Sequence, residues 1–477
     1  MKIFNSILFI SIVVLNIGNS DIKADDLNSS KTDFTENYVG NSSELMDTIE
    51  LDNPNIIVSG SNYTQRTRDT IHFQRFSDEL LAMSLLESRL NAVKAHTTTG
   101  IVISFKTDSP VIQMQFTVME GENRGHNFAL YQDGVFTKEF SFSSTAGPDL
   151  IMDFSSQSPG NEVLYEISMP NWSITSLTGL KLEEGYDLSD PDSLNKAVYV
   201  AYGNSITHGT GQAGTYKTYP FLVSEDMDYE LFNLAVGGAK TSVAVAQMLR
   251  DDFEQIDVLT MLIGYNDYNG EGIDTIEYRS RYMQFLRTFR EVHDSTSIHC
   301  LSMTYTTNTI SVKTGISSDD FRAVVRHIVA ELNAEGDHNI FFIEGDEISS
   351  ELNLNDVVHF SEEGALLFAG DLSRAISKLD PDPVPVPDPD PATIINNSSR
   401  YGSIKLVPEP GQNSLYIESD LPIDSVSIFS IDGKFLFKES CDDYRVDISS
   451  ISKGKYILQV EFKSREKGKN SILFFRI

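Results

Sequence analysis

The chain has 477 residues, 40% apolar, 10% aromatic and 22% charged, an ordinary globular composition that sets aside wholesale disorder, collagen and coiled coil. At roughly 100 to 200 residues per domain, that length suggests two to four domains. Lys plus Arg number 37 against 69 Asp plus Glu, a net charge of −32, so DNA or an anionic membrane surface would be repelled over most of this protein, which argues against nucleic-acid work.

Residues 1–20 carry Lys2, an apolar run from Ile7 to Leu15 and the small-x-small triplet Gly18-Asn19-Ser20. That is the pattern of a secretory signal peptide cut near Asp21, and the run is too short to span a bilayer. Export to the periplasm, cell surface or exterior is expected, with no transmembrane segment elsewhere and no cysteine placed to anchor a lipid. Residues 21–54 are polar and acidic without periodicity and read as a flexible lead-in.

Over residues 55–190 the period becomes two. Ile101, Ile103 and Phe105, then Ile112, Met114, Phe116 and Val118, alternate with polar partners, and Asp133-Gly134 is a hairpin turn between apolar runs. An antiparallel β-sandwich is expected here. Residues 191–379 change again, to short apolar strands at 197–201, 229–235, 256–263, 298–303 and 339–343, each separated by room for a crossover helix. One helix is marked by the stripe Phe321, Val324, Val325, Ile328 and Leu332 with Ser317 or Ser318 as its cap, and another spans 362–378. The expectation is a three-layer α/β/α domain around a parallel sheet. This segment is also the most acidic, with 13 basic and 28 acidic residues.

Residues 380–391 alternate proline with Asp or Val, a semi-rigid polyproline II spacer of about 3.1 Å per residue. Beyond it, 392–477 hold short strands at 415–417, 426–429, 435–437 and 456–460 with turns at Asp432-Gly433 and Gly454, a small β-sandwich. Cys300 and Cys441 fall in different segments, neither a disulfide framework nor a metal-ligand spacing, and read as isolated buried thiols.

Candidate chemistry gathers at the carboxyl ends of the parallel strands, where open α/β sheets present reactive groups. Ser205 follows the first strand in Gly203-Asn204-Ser205-Ile206, with backbone N–H groups at a helix start to receive a developing oxyanion; an ordinary N-cap is the plainer reading. Gly238 after the second strand and Asn266 after the third offer a backbone and a side-chain N–H; both also suit simple loop turns. Asp356-Val357-Val358-His359 follows the fifth strand, and its offset lets a carboxylate hold the imidazole Nδ1–H while Nε2 faces a nucleophile. His208 is the nearest competing histidine, with surface or packing roles preferred for it. No His, Cys or carboxylate cluster with ligand spacing appears, so no metal or organic cofactor is implied.

These four pieces, in this order over most of residues 195–378, resemble the SGNH (GDSL-like) hydrolase family. The resemblance implies Ser205 as nucleophile, Gly238, Asn266 and the Ser205 N–H as the oxyanion hole, His359 as general base and Asp356 as its orienter. Asn204 stands where that family usually has Asp, a departure expected to bear on loop hydrogen bonding. The stretches Thr99–Ser109 and His126–Tyr131 resemble the β-sandwich ahead of the hydrolase domain in bacterial carbohydrate esterases similar to carbohydrate esterase family 2, although Asn127 and Ala129 replace the usual Gly and Asp. Val446-Asp447-Ile448-Ser449 and Lys453–Leu458 resemble the sorting domain of the Bacteroidetes type IX secretion system, without its closing lysine.

The function these features imply is a secreted serine esterase that removes O-acetyl groups from a polysaccharide, as in polysaccharide degradation, with an acetylated glycan as substrate and the type IX secretion machinery as partner. Two alternatives stand beside it. One is a lipase or thioesterase-type short-chain esterase, against which no long apolar lid interrupts 195–378. The other is a catalytically silent glycan-binding protein, against which all five site positions carry competent residues.

Overall fold

The computed structural model describes residues 46–191, 196–379 and parts of 398–476. The signal-peptide reading, most of the lead-in, the Asp/Pro spacer and the turns at Asp432-Gly433 and Gly454 lie outside the described residues.

The first domain is a β-sandwich. One antiparallel sheet runs in the order Gln65–Arg66, Ile71–His72, Ser173–Glu183, Val111–Asn123, Asp149–Ser155, with Met46–Thr48 also paired to Ser173–Glu183. The other runs Ile57–Ser59, Val102–Thr107, Val163–Ser168, His126–Gln132, Val135–Phe142. Alternate residues of Val102–Thr107 and of Asp149–Ser155 are buried, so the period-two pattern delivers one apolar face per sheet to a shared core of Ile103, Phe105, Ile112, Met114, Phe116 and their neighbours. The expected hairpin forms at Asp133 and Gly134, which both take positive φ (50° and 73°), the conformation whose twist matches flanking strands. The lead-in expected to run to residue 54 is shorter than that. Met46–Thr48 pairs into the sheet, and Ile49 and Leu51 are buried in its core. Two apolar side chains in a polar stretch carry too little periodicity to mark a strand.

The second domain is a five-stranded parallel sheet in the order Tyr229–Ala235, Ala197–Gly203, Val258–Leu262, Ser297–Leu301, Ile340–Ile343. Strand ends fall within two residues of expectation. Helices Tyr219–Met227, Val243–Asp252, Thr275–Arg290, Ser318–Glu335 and Glu362–Leu379 connect or follow the strands. In Ser318–Glu335 the expected stripe is buried, and Ser317 caps the helix in a reciprocal box with Asp320. Each of those side chains contributes roughly 1.5–3 kcal/mol by leaving water. The chain order 2-1-3-4-5 reverses direction beside the first strand, which is the place where such sheets hold ligands. Cys300 and Cys441 are buried and are not joined in a disulfide.

Tyr229–Ala235 is an edge strand whose outer carbonyls need donors. Arg75 of the first domain supplies them: it is buried, and its Nη1 donates to Asn233 O (2.6 Å) and Ala235 O (2.9 Å) while Nε donates to Thr97 O (2.7 Å). The sandwich is thus hydrogen-bonded to the sheet beside the candidate site. Ala129, noted above as a departure, is fully buried in a cluster with Tyr199, Tyr216 and Phe221 of the second domain, where an aspartate would be desolvated.

In the C-terminal segment, two four-stranded antiparallel sheets share a core that includes Ile417 and Val446 from one and Val426, Ile428, Leu458 and Val460 from the other. Strands Gly402–Pro408 and Asn470–Arg476 join those expected.

Candidate active site

The first parallel strand ends at Gly203, and the chain turns at once into the short helix Ser205–His208. Asn204, not Ser205, is its cap: Asn204 Oδ1 accepts the Ile206 N–H at 3.0 Å. An aspartate oxygen could accept the same bond, so the departure at this position keeps the turn, and Ser205 Oγ is left to point elsewhere. It lies 2.8 Å from His359 Nε2.

His359 sits on the loop between a 3-10 turn, Glu351–Asn353, and helix Glu362–Leu379. Its Nδ1 is 2.7 Å from Asp356 Oδ2, while Asp356 Oδ1 accepts the backbone N–H groups of His359 (2.8 Å) and Val358 (2.9 Å). Burial pushes the Asp356 carboxyl up, but these bonds and the His359 ring outweigh it and hold the group below its usual range. An ionised carboxylate can only accept, so Nδ1 carries the imidazole proton and the Nε2 lone pair faces Ser205. The spacing of three residues brings the carboxylate and imidazole together; folding brings in Ser205, 154 positions away.

Gly238 lies in the turn after the second strand at φ +87°, a left-handed conformation that suits glycine, and a Cβ there would meet nothing within 4 Å. Val236 N–H donates to Gly203 O (3.3 Å), beside Ser205, and Asn266 Nδ2 donates to Ala239 O (3.1 Å). The sequence-predicted residues from the first, second and third strand ends are therefore linked through Gly203 and Ala239. Asn266 opens a π-helical turn, Asn266–Glu271, that periodicity did not foresee.

The neighbouring Asp267 escaped sequence reasoning. It is fully buried, accepts from the Thr241 N–H (3.0 Å) and Oγ1 (3.2 Å), and faces Arg281 Nη1 at 3.3 Å, joining the second and third strand-end turns. Burial raises its pKa to about 6 against the pull of Thr241 and Arg281. An unfolded aspartate titrates near roughly 3.9, so between those values the folded state binds more protons. Asp267 therefore contributes most to stability below the unfolded pKa, and that contribution is lost as pH rises through about 6. Asp267→Asn cannot ionise, so its unfolding midpoint relative to wild type should climb between about pH 4 and pH 7. A pH-independent difference in thermal unfolding would contradict this account.

Among the described residues, no group of three or more His, Cys, Asp or Glu side chains could hold a metal ion, and no helix is long and apolar enough to cross a membrane.

Comparison with known proteins bears on this geometry. Residues 201–367 match the GDSL-like lipase/acylhydrolase family, and residues 405–473 match a secretion system C-terminal sorting domain, which supports export. Among curated proteins no sequence matches the chain. Among solved structures, it is similar to a salicylyl-acyltransferase, SsfX3, from a tetracycline biosynthetic pathway (TM-score 0.63, 21% identity, covering 71% of this chain and 99% of that one). It is also similar to a family two carbohydrate esterase from Cellvibrio japonicus (0.51, 15%, 70% and 98%). A third is an acetyl xylan esterase, Est2A, from the rumen bacterium Butyrivibrio proteoclasticus (0.50, 11%, 70% and 98%). At these identities the likeness is one of fold.

Proposed function

We propose, on the premise that the chain carries a GDSL-like lipase/acylhydrolase domain, that it is an exported serine esterase removing O-acetyl groups from a polysaccharide or oligosaccharide. The observation that carries the chemistry is the continuous line from Ser205 Oγ through His359 Nε2 and Nδ1 to Asp356 Oδ2, at 2.8 and 2.7 Å.

Ser205 Oγ attacks the acetyl carbonyl as its proton passes to His359 Nε2, and Asp356 stabilises the imidazolium. The new oxyanion receives the N–H groups of Ser205 and Gly238 and the Asn266 amide. His359 returns the proton to the departing sugar oxygen, leaving acetyl-Ser205. Water, deprotonated by His359, then releases acetate and restores Ser205.

The fold shared with the Cellvibrio japonicus carbohydrate esterase and with the acetyl xylan esterase supports a glycan substrate. So does the acidic balance of residues 191–379, which favours a neutral glycan over a polyanionic one. The sorting domain supports secretion through the type IX machinery. The test is acetate release from a panel of acetylated glycans, with p-nitrophenyl esters of increasing acyl length alongside. Acetyl groups should be cleaved, and long acyl chains poorly. Cleavage of long chains alone would replace the glycan reading with a lipase, and acyl transfer to an added alcohol in preference to water would replace it with an acyltransferase.

A further inference from the structure

His208 closes the helical turn that Ser205 opens, and it is fully buried. Its ring is held on both nitrogens. Nδ1 accepts the backbone N–H of Gly237 at 3.0 Å, which obliges Nε2 to carry the proton; Nε2 lies 2.8 Å from Asn171 O and 2.9 Å from Thr97 Oγ1. Asn171 and Thr97 belong to the sandwich, and Gly237 to the turn that presents Gly238.

One face of the ring is covered too. Trp172 of the sandwich stacks on His208 with centroids 3.8 Å apart and planes 8° from parallel, and the Arg124 guanidinium lies 3.7 Å from the Trp172 centroid. Two flat groups that close to one ring cannot share a face, so guanidinium, indole and imidazole form a single stack. The edge of Trp172 also abuts Gly237: a Cβ on Gly237 would fall 2.2 Å from its six-membered ring, so only glycine fits beneath it. The sandwich grips the far side of the Ser205 turn as well, since Asn171 Nδ2 donates to Gly209 O (2.9 Å) and Gln212 O (3.2 Å).

We propose that His208 is a positioning residue: as a neutral imidazole clamped by the sandwich, it fixes the peptide before Gly237 and so aims the Gly238 N–H at the oxyanion, making the N-terminal domain part of the catalytic apparatus. Once the Gly237 N–H is pinned and Trp172 fills the space over its Cα, only the Gly237 ψ and Gly238 φ torsions remain to direct the next N–H. The opposite end of the turn is held by the Asn266 bond to Ala239. Burial, reinforced by Arg75, with Arg124 and Lys94 adding to it, keeps His208 well below the usual histidine pKa, so the acceptor at Nδ1 persists. A protonated ring would oppose a donor to the Gly237 donor. The inference rests on the reading of Gly238 as an oxyanion donor.

The test compares His208→Phe, which keeps the stack on Trp172 but has no acceptor, with His208→Asn, whose Oδ1 falls near the Nδ1 position. Losing one aligned oxyanion donor lowers kcat by about 10²–10³-fold, so His208→Phe should lose kcat on that scale with KM within about twofold, and His208→Asn should recover much of it. Parental kcat in a folded His208→Phe, or equal kcat in the two variants, overturns the proposal. Should His208→Phe fail to fold, Trp172→Phe supplies the second reading, because it loosens the clamp on Gly237 and keeps the hydrogen bond; an unchanged kcat there is equally fatal. Hydrogen–deuterium exchange over residues 234–241 reads the turn without any substrate. Faster exchange in His208→Phe supports the clamp and unchanged exchange overturns it, whereas a protected turn in a parent that cleaves no acetyl ester defeats only the esterase reading.

Discussion

Ser205→Ala is expected to lower kcat/KM for an acetyl ester by about 10⁴–10⁶-fold while leaving the unfolding midpoint almost unchanged. The reason lies in the geometry. His359 Nε2 has its lone pair directed at Ser205 Oγ over 2.8 Å, so removing that oxygen leaves the proposed general base with no nucleophile to activate. The proposed oxyanion donors survive the substitution, because Gly238 and the Ser205 N–H are backbone groups and Asn266 is tied to Ala239 rather than to Ser205. Residual hydrolysis above the uncatalysed rate is therefore expected, from those donors and substrate binding alone. The cost to the fold is small, since Ser205 is only partly buried and the bond lost runs to one side chain. Steady-state kinetics on an acetyl ester, with circular dichroism to verify folding, checks both halves. Undiminished turnover in the variant would remove Ser205 from the mechanism and place the hydrolysis at a different site.

Arg75→Met should be the more damaging change for stability, by about 3–5 kcal/mol, or on the order of 10 °C in the first thermal transition. Arg75 is 1% exposed, and its guanidinium satisfies Thr97 O, Asn233 O and Ala235 O, with weaker contacts to Lys94 O and Thr97 Oγ1. Methionine fills much of the volume but donates nothing, so several buried carbonyls lose their partner at once, and each costs about 1–3 kcal/mol before relaxation admits water. Two of those carbonyls belong to the edge strand that leads to Gly237 and Gly238, so activity should fall along with stability. Arg75→Lys should rescue poorly, because one ammonium on a flexible stem cannot reproduce a planar fork that reaches both Asn233 O and Ala235 O. Differential scanning calorimetry of the three proteins separates the cases; wild-type stability in Arg75→Met would show that the domain junction does not depend on this residue.

Much of the architecture was legible in the sequence, because the features that mark it are local. Alternation over 101–118 has one buried solution, a half-covered strand. The apolar bursts from Ala197 onward, with crossover lengths between them, admit a parallel layer. Asp133-Gly134 supplied the two positive φ values a tight hairpin needs. The D-x-x-H loop closes on itself within four residues, so the Asp356–His359 contact needs no long-range fold.

What the tertiary structure alone decided is everything that depends on distant partners. Whether Ser205 meets His359 across 154 positions follows from the strand order and from helix Glu362–Leu379 beyond the His359 loop, and neither residue's neighbours encode it. Met46–Thr48 is a strand only because Ser173–Glu183 offers an edge. From sequence His208 reads as a surface or packing histidine because its sequence neighbours give it no carboxylate; its partners come from positions 97, 171, 172 and 237, in two domains, and they turn a buried ring into an oriented acceptor. Arg75 carries no motif at all, and its position becomes intelligible only when an edge strand with open carbonyls is laid against it. Periodicity and turn chemistry operate within a few residues, whereas complementary donors and acceptors across a domain junction exist only once both sides have folded.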